Sequence, residues 1–446
     1  MKILLISPTI DSSRRTNKQL MMPQLALYIL KGLTPPEHEV TTIEEETRDV
    51  DPDQECDLVG ISCMTANAPR AYELCSEFKK RGKTVVLGGV HPTILPGEAL
   101  QHADCVVKGE AEGVWQQVVE DFENNKLKKT YSDPEPDLSK YVPKDFSSLT
   151  TKRLLNLIPI STTRGCPYNC DFCCVTDLFG KKIRHIPVEN VVRDIKESNT
   201  KNFIFLDDNI IGDAKYAKEL FRAIKPLNIH WGGQASLLLL AKDKELMQLA
   251  ADSGCKILFV GIESVGEEQL KSFKKSIKEV KEMEDALKKM KEAGILIHAS
   301  IVFGLDSDKK SIFGETVKFL IENKVSTVSF NILTPYPGTK VYEDLKKANR
   351  LTTTDWKYYD HNTVVFEPKN MSPYELQVGK TGARKKFYSI SSVLKRLPAN
   401  MSSPFIYLAM NYGNIKQSRV EARRVAELKP KLFDSKHLSG VSNRMP

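Results

Sequence analysis

The chain has no apolar run approaching the roughly 20 residues that a membrane-spanning helix needs. Its first apolar stretch, Met1 to Ser7, is too short for a secretory signal peptide, so we expect a cytoplasmic protein. The nine cysteines are odd in number and lack the spacing of a disulfide framework, which argues against a small secreted scaffold. Neither internal repeats nor low-complexity tracts are evident. With 446 residues, 41% of them hydrophobic, the chain has the composition of a globular protein of several domains.

Positive charge is confined to one end of the chain. The formal net charge is +8, but residues 371–446 hold 14 Lys and Arg against four Asp and Glu, which leaves the remainder nearly neutral. A basic segment can bind a nucleic acid or an anionic membrane. Aromatic residues do not interleave with arginine there as in RNA-binding motifs, so a nucleic-acid partner is disfavoured. An RNA-binding or RNA-modifying protein remains the alternative from another class, and a solvated charged surface is the plainest explanation.

The first 128 residues alternate short, β-branched apolar runs with helical stretches. Runs without alternation are typical of strands buried on both faces of a parallel sheet. They predict an α/β fold that begins with a doubly wound, Rossmann-like (flavodoxin-like) domain over residues 1–128, followed by a linker over 129–150. The first strand is not followed by the G-x-G-x-x-G turn of NAD or FAD domains, so neither cofactor is expected. The predicted strands are 2–7, 38–43, 57–62, 84–88 and 103–107, with helices at 69–81 and 111–124.

A second series of strands follows the linker. Helical segments separate them, and in residues 276–293 the apolar side chains repeat at intervals of three and four. Six such units predict a partial (β/α)6 TIM-type barrel over residues 151–345. A basic, mainly helical C-terminal segment is expected over 346–446. The predicted strands are 157–163, 202–206, 229–232, 257–261, 296–303 and 325–333.

Three cysteines, Cys166, Cys170 and Cys173, crowd together just after the first strand of this second domain. Barrel enzymes place their chemistry at the carboxyl ends of strands. Soft sulfur ligands select zinc or iron-sulfur clusters, and a structural zinc site would require a fourth Cys or His ligand. Cys174, the adjacent residue, is interpreted as a bystander. The five scattered cysteines are expected to be small core residues.

The segment from Thr163 to Cys173 resembles the cluster motif of the radical S-adenosylmethionine (SAM) superfamily, with C-x3-C-x2-C spacing and an aromatic residue, Phe172, before the last cysteine. The resemblance implies a 4Fe-4S cluster on the three cysteines, with an open iron that binds SAM. Further segments at successive strand ends resemble that family's cofactor contacts. They supply the candidate SAM-binding residues Phe172, Asp207, Asp208, Asn209, Gln234, Glu263, Ser264, Ile301 and Thr334.

The loops after the N-terminal strands resemble the cobalamin-binding domain fused ahead of the radical domain in the cobalamin-dependent subgroup. The D-x-H-x-x-G motif, whose histidine coordinates cobalt in many cobalamin domains, is missing. His91 is therefore included as a loop-fixing residue rather than as an expected cobalt ligand. The resemblance supplies the candidate cobalamin-binding residues Thr9, Met64, Thr65, Gly88, Gly89, His91, Pro92, Thr93, Gly109 and Glu110.

The resemblance implies an enzyme that methylates an unactivated carbon of a small-molecule or lipid-like substrate. It also implies an external one-electron reductant such as flavodoxin or ferredoxin. The alternative within the same subgroup is an oxidative cyclase, similar to the anaerobic ring cyclase of chlorophyll synthesis, or another radical rearrangement without methyl transfer.

The C-terminal segment suggests a second partner. Residues 405–410 are apolar and lie between the basic pairs Lys395/Arg396 and Lys416/Arg419. An interfacial helix uses this arrangement to bury apolar side chains in a membrane surface while basic ones meet anionic headgroups. The sequence therefore raises a peripheral membrane contact, with packing of a C-terminal helix on the barrel as the alternative.

Overall fold

A computed structural model describes residues 1–10, 22–140, 144–146, 156–168, 170–266, 268–269, 279–398 and 403–433. The chain divides into two compact units. The first comprises residues 1–167 and 174–208, and the second comprises 168–173 and 209–446. Among the described helices, none combines the length and hydropathy required to cross a bilayer.

The first unit contains a six-stranded parallel sheet with the order β2-β1-β3-β4-β5-β6. Sequence order reverses between β1 and β3, as in flavodoxin-like folds. All five predicted strands are present, and the doubly wound prediction is confirmed. Its strands are β1 (Lys2–Ser7), β2 (Glu39–Glu44), β3 (Leu58–Ser62), β4 (Thr84–Gly88), β5 (Cys105–Gly109) and β6 (Thr130–Asp133).

Helices cover both faces of this sheet because its strands are apolar on both sides. Along β1, Ile3 and Leu5 join the core that contains Trp115, whereas Leu4 and Ile6 join the core that contains Phe78. This two-residue alternation is what a pleated strand imposes. The helices of the unit are α1 (Leu25–Leu33), α2 (Ala68–Lys79), α3 (Val90–Ile94), α4 (Pro96–Ala99), α5 (Trp115–Glu123), α6 (Val175–Phe179) and α7 (Val188–Glu197).

Residues 130–133 were expected to be part of a linker over residues 129–150, and that prediction is wrong for them. This segment forms β6 and pairs in parallel with β5. Its Tyr131 is buried, and the phenol donates to Asp121 Oδ2 at 2.6 Å. The Pro, Asp and Ser residues that indicate a linker begin only at Ser132. The short edge strand starts before them and is too short to be recognised from composition. Residues 141–143 and 147–150 lie outside the described part of the chain.

The six strands predicted for the second domain are all present. In the first unit β7 (Leu157–Ile160) pairs in parallel with β10 (Asn202–Phe205). A short antiparallel hairpin, β8 (Thr163–Arg164) with β9 (Arg184–His185), lies between them in the chain. In the second unit the parallel order is β14-β13-β12-β11. Those strands are β11 (His230–Ala235), β12 (Cys255–Glu263), β13 (Leu296–Phe303) and β14 (Thr327–Ile332).

Helices follow the strands of the second unit as expected for repeated β/α pairs. The predicted helix 276–293 is present from Val280, and residues 276–278 are outside the described chain. The helices are α8 (Ala214–Ile224), α9 (Leu237–Lys242), α10 (Lys244–Asp252), α11 (Val280–Glu292), α12 (Ile312–Glu322), α13 (Lys340–Lys347), α14 (Pro373–Phe387), α15 (Ile390–Lys395) and α16 (Pro404–Leu428).

The basic C-terminal segment is mainly helical, but several of its charges are interior. Arg396 is fully buried, donates to the carbonyls of Val325, Ser326 and Phe387, and stacks 3.7 Å from the Phe387 ring. Lys380 is also fully buried and pairs with Glu421. A solvated charged surface therefore explains only part of the excess, because these cations hold the terminal helices to the fold.

Candidate active site

The first candidate site lies where the strand order of the first sheet reverses. Ligands of open α/β sheets bind outside the carboxyl ends of the strands at such a point. Two large apolar side chains, Ile10 after β1 and Met64 after β3, are about half exposed there. Thr65 is buried, and its hydroxyl has no hydrogen-bond partner. Exposed apolar surface with an unsatisfied hydroxyl fits a large ligand such as cobalamin.

The loops at this point are fastened to one another by polar side chains. Asn67 accepts from the Met64 amide at 2.7 Å and donates to the Pro8 carbonyl at 2.8 Å, which ties the β3 loop to the β1 loop. Thr9 donates from its amide to Glu45 at 3.0 Å. Sequence reasoning missed Asn67 and Glu45. Asn67 could have been recognised from sequence as a helix N-cap, because Asn favours that position and Pro69 follows in the first turn of the helix.

The loops after β4 and β5 also meet. Gly89 has φ 99°, and a Cβ there would lie 2.5 Å from the Cys63 carbonyl, so only glycine fits. Thr93 donates to Gly89 O at 2.7 Å and accepts from the Gly109 amide at 2.9 Å. The structure thus places Gly88, Gly89, Thr93 and Gly109 together at the carboxyl edge of the sheet.

His91 and Pro92 are buried in the short helix α3. The His91 Nε2 atom lies 3.1 Å from Glu98 Oε1, and Glu98 also accepts from the Tyr72 hydroxyl at 2.9 Å. A ring nitrogen engaged in this way fixes the loop, which agrees with the interpretation of His91 as a loop-fixing residue.

The carboxylate of Glu110, a predicted cobalamin contact, pairs with two arginines. It is buried and pairs with Arg184 and, at 3.5 Å, with Arg164. Burial raises the pKa of Glu110, while the two guanidinium groups lower it. Arg164 also pairs with Glu112 at 3.0 Å. Neither arginine was singled out from sequence, because their partners lie 52 to 74 residues away.

The two ends of the cluster loop, residues 165–180, are held together at the β8–β9 pair, which we call the neck of the loop. The Cys166 amide donates to Gly180 O at 3.2 Å. Gly165 has φ 91°, and a Cβ there would lie 2.3 Å from Lys182 O, so the residue before Cys166 must be glycine. Within the loop, the Cys173 amide donates to Cys170 O at 3.0 Å.

The donor chemistry of this loop fits an iron-sulfur cluster. Cys166, Cys170 and Cys173 are partly exposed, and their thiolates would be the soft ligands that iron-sulfur clusters take. A cubane spreads its sulfur ligands over separate irons. Burial raises the pKa of the adjacent Cys174 thiol, and its bystander role stays a prediction.

Asp207 supports the start of the cluster loop through one of its two carboxylate oxygens. It is fully buried, and its Oδ1 atom accepts hydrogen bonds from both the amide and the hydroxyl of Thr162 and of Thr163. These donors immediately precede the β8 arginine and the cluster loop. Asp207 Oδ1 therefore positions the start of the cluster loop, whereas its buried Oδ2 atom has no hydrogen-bond partner, and its role as a SAM contact stays a prediction.

The neighbouring candidates have different environments. Burial and the Asp207 carboxylate raise the pKa of Asp208 to about 6, so Asp208 is an anion near neutral pH. In the second unit, Asn209 Oδ1 accepts from the Ser236 amide at 3.0 Å, whereas its buried Nδ2 atom has no partner. Gln234 is exposed on β11. An anion, an unsatisfied amide and an exposed amide are all groups that can bind a polar ligand.

The last strand ends carry Glu263, Ser264, Ile301 and Thr334, all of which are buried. Glu263 has φ 64° at a register shift between β12 and β13. A left-handed non-glycine residue at a bulge marks a strained position of the kind found at functional sites. The Ile301 side chain is fully buried, so only its backbone could face a ligand, and the Thr334 hydroxyl donates to Ile332 O at 3.1 Å.

Comparison with known protein families identifies two domains in the chain. Residues 160–320 match the radical SAM superfamily, and residues 28–119 match the B12 binding domain. The chain belongs to the cobalamin-dependent radical SAM methyltransferases, whose cofactors are a 4Fe-4S cluster, SAM and cobalamin.

Two relatives from Chlorobaculum tepidum are similar over most of their length. The chain is 32% identical to bacteriochlorophyllide d C-12(1)-methyltransferase over 410 residues, 89% of each chain. It is 31% identical to bacteriochlorophyllide d C-8(2)-methyltransferase over 392 residues, 83% of this chain and 87% of the relative. The fold also resembles the methyltransferase TsrM from Kitasatospora setae, with a TM-score of 0.67 at 15% identity over 96% of this chain and 99% of TsrM.

Proposed function

We propose that this enzyme methylates an unactivated carbon of a flat, largely hydrophobic, polycyclic small molecule. The observation that carries this proposal is the similarity, over nearly nine-tenths of both chains, to an enzyme that methylates bacteriochlorophyllide d. Cobalamin supplies the methyl group in such chemistry, and the cluster with SAM supplies the radical that activates the substrate carbon.

The chain's own residues have separable roles in this proposal. Cys166, Cys170 and Cys173 hold the cluster. Asp208, Asn209, Gln234 and the strained Glu263 orient SAM through its polar groups, with Phe172, Ser264, Thr334 and the Ile301 backbone around it. The loops carrying Thr9, Met64, Thr65, Gly88, Gly89, Thr93 and Gly109 receive cobalamin.

A polar row on β13 and β14 is our candidate for recognising polar groups of the substrate. His298 contacts the hydroxyls of Thr327 at 2.8 Å and Ser329 at 2.9 Å. One position further along the same face, Asn331 donates to Ser300 at 3.1 Å. Burial lowers the pKa of His298 to about 4, so the ring is neutral and acts as a hydrogen-bonding group. Ser300, Ser329 and Asn331 are partly exposed, as substrate contacts must be.

Transfer of a labelled methyl group tests the proposed reaction. The full chain, reconstituted anaerobically with iron, sulfide and cobalamin, is incubated with dithionite, bacteriochlorophyllide d and SAM carrying a deuterated methyl group. Dithionite stands in for the flavodoxin or ferredoxin that we propose as the natural reductant. We expect mass spectrometry to show product bearing the deuterated methyl, and none when cobalamin is omitted.

Two results would contradict this proposal. Formation of 5′-deoxyadenosine without label in the pigment would overturn the substrate class. A product that has lost hydrogen or gained oxygen without a methyl group would instead support the oxidative cyclase alternative.

We also propose that helices α15 and α16 contact an anionic membrane surface. Ile390, Leu394, Phe405, Leu408 and Tyr412 on these helices are all more than half exposed. Val393 and Tyr407 on the opposite faces pack against the barrel strands, and the Tyr407 hydroxyl donates to Val393 O at 2.7 Å. These five exposed apolar residues of α15 and α16 are called the C-terminal apolar face.

The charge around this face favours anionic lipid as its partner. Residues 376–420 contain no Asp or Glu, and Lys385, Lys386, Lys395, Lys416 and Arg419 are exposed. Each such cation near an anionic surface contributes about 1 kcal/mol. Apolar side chains and cations presented together are what an interfacial helix needs.

Vesicle flotation with matched surface variants tests this contact. Truncation before Met371 is unsuitable, because Tyr388 bonds both backbone groups of Val328 and its removal would expose the core. We expect Leu394→Ser/Phe405→Ser/Leu408→Ser to reduce binding to phosphatidylglycerol vesicles at least about tenfold, given about 1.5–3 kcal/mol for each fully buried side chain.

The control for vesicle binding is Val378→Ser, a substitution of an exposed apolar residue on a different helix, α14. It should bind vesicles like the unchanged protein, and high salt should weaken both. Equal flotation of the triple variant, or sedimentation showing that the face joins two copies of the chain, would refute the membrane contact.

A further inference from the structure

The neck of the cluster loop brings two like charges together. Arg164 and Arg184 face each other directly in the antiparallel pair β8–β9. Like charges opposite each other destabilise a strand pair. Both side chains are largely buried, with exposed fractions of 16% and 10%, so water screens their repulsion little. The neck needs a buried counter-charge to remain closed.

Glu110 supplies that charge from the end of β5. Its side chain is 3% exposed and contacts both arginines, one on each strand of the neck. The surrounding bonds reinforce the closure, since Arg184 also donates to Phe179 O at 3.2 Å and Arg164 lies over the Phe179 ring at 5.7 Å. Residues at the start and end of the cluster loop thus converge on one carboxylate.

We propose that Glu110 is a positioning residue for the iron-sulfur cluster, holding the cluster loop closed by bridging Arg164 and Arg184. Gly109, the preceding residue, is bonded to Thr93 of the cobalamin loops. The same short segment therefore connects the cobalamin loops to the neck of the cluster loop. Glu112 pairs only with Arg164 and is more exposed, so it has a lesser part.

Hydrogen exchange in the full chain without cofactors tests the closure directly. The reporters are the Cys166 amide, bonded to Gly180 O, and the Ile186 amide, bonded to Thr162 O at 2.8 Å. We expect Glu110→Gln to accelerate exchange of peptides carrying these amides at least about tenfold, because it removes the carboxylate that pairs with buried Arg184 and leaves Arg164 with Glu112 alone. Glu112→Gln, the matched control, should change exchange much less.

The double variant Glu110→Gln/Arg184→Gln separates bridging from a direct cobalamin contact. Removing one arginine relieves the repulsion, so exchange at the neck should return toward the unchanged rate. Iron content after anaerobic reconstitution, which rests on the proposed function, should fall in Glu110→Gln and recover in the double variant. Hydroxocobalamin binding, followed by its visible spectrum, should persist in both.

Two outcomes would overturn this inference. One is slow exchange at the neck in Glu110→Gln. The other is rapid exchange that the second substitution does not reduce, because bridging predicts rescue. Since exchange is measured without cofactors, a wild-type chain that binds no cluster would refute the proposed function while the exchange result still decides the role of Glu110.

Discussion

Replacing Cys166, Cys170 or Cys173 by alanine is expected to eliminate the iron-sulfur cluster and reductive cleavage of SAM. Each thiolate would bind one iron of a cubane, and a chain left with two ligands cannot hold the cluster in place. The measurements are visible and electron paramagnetic resonance spectra after anaerobic reconstitution, together with 5′-deoxyadenosine formation. We expect the cluster signal and the product to fall to background in each variant.

Cys174→Ala is the matched control for these substitutions. It is adjacent to the proposed ligand set and partly exposed like the three proposed ligands. The control should retain the spectrum and SAM cleavage. A cluster signal that survives loss of Cys173 but disappears in Cys174→Ala would show that the ligand spacing is C-x3-C-x3-C instead.

The strands were predictable because their signal is local. Each buried parallel strand is a short run of β-branched and apolar residues, so β1 to β5 and the six strands of the second domain could be read directly. The turn residues after those strands marked the site, because the carboxyl ends of parallel strands lie at one edge of a sheet. The two-residue strands β8 and β9 and the edge strand β6 are too short to produce such a pattern.

The supporting contacts could not be predicted, because they join residues distant in sequence. Glu110 was grouped with the cobalamin loops by its neighbours along the chain, yet its partners are Arg164 and Arg184. The charge of the C-terminal segment was similarly misleading. Sequence gives the number of cations, whereas only packing shows that Lys380 is buried and paired with Glu421 and that Arg396 is buried and hydrogen-bonded to Asn411.

Asp207 and Asp208 show how such support can be separated from ligand binding. Asp207→Ala would leave four donors of Thr162 and Thr163 without their acceptor in a buried site. An unsatisfied buried donor costs about 1–3 kcal/mol, and the two hydroxyls can reorient, so we expect a loss of about 3–5 kcal/mol in the free energy of unfolding. Denaturant unfolding of the chain without cofactors measures it, and iron uptake should fall in parallel.

Asp208→Asn is the control, and it should have the opposite profile. The folded-state pKa of Asp208, about 6, lies above its ordinary value of 3.8, so ionisation of this group opposes folding near neutral pH. Neutralising it should leave stability unchanged or slightly increased, while SAM binding weakens if Asp208 contacts the SAM amino group. If Asp207→Ala were as stable as the unchanged chain but bound SAM poorly, Asp207 would be a ligand contact and its positioning role would be wrong. Separate effects from two adjacent carboxylates would show that the strand end after β10 supports the cluster loop with one residue and binds SAM with the next.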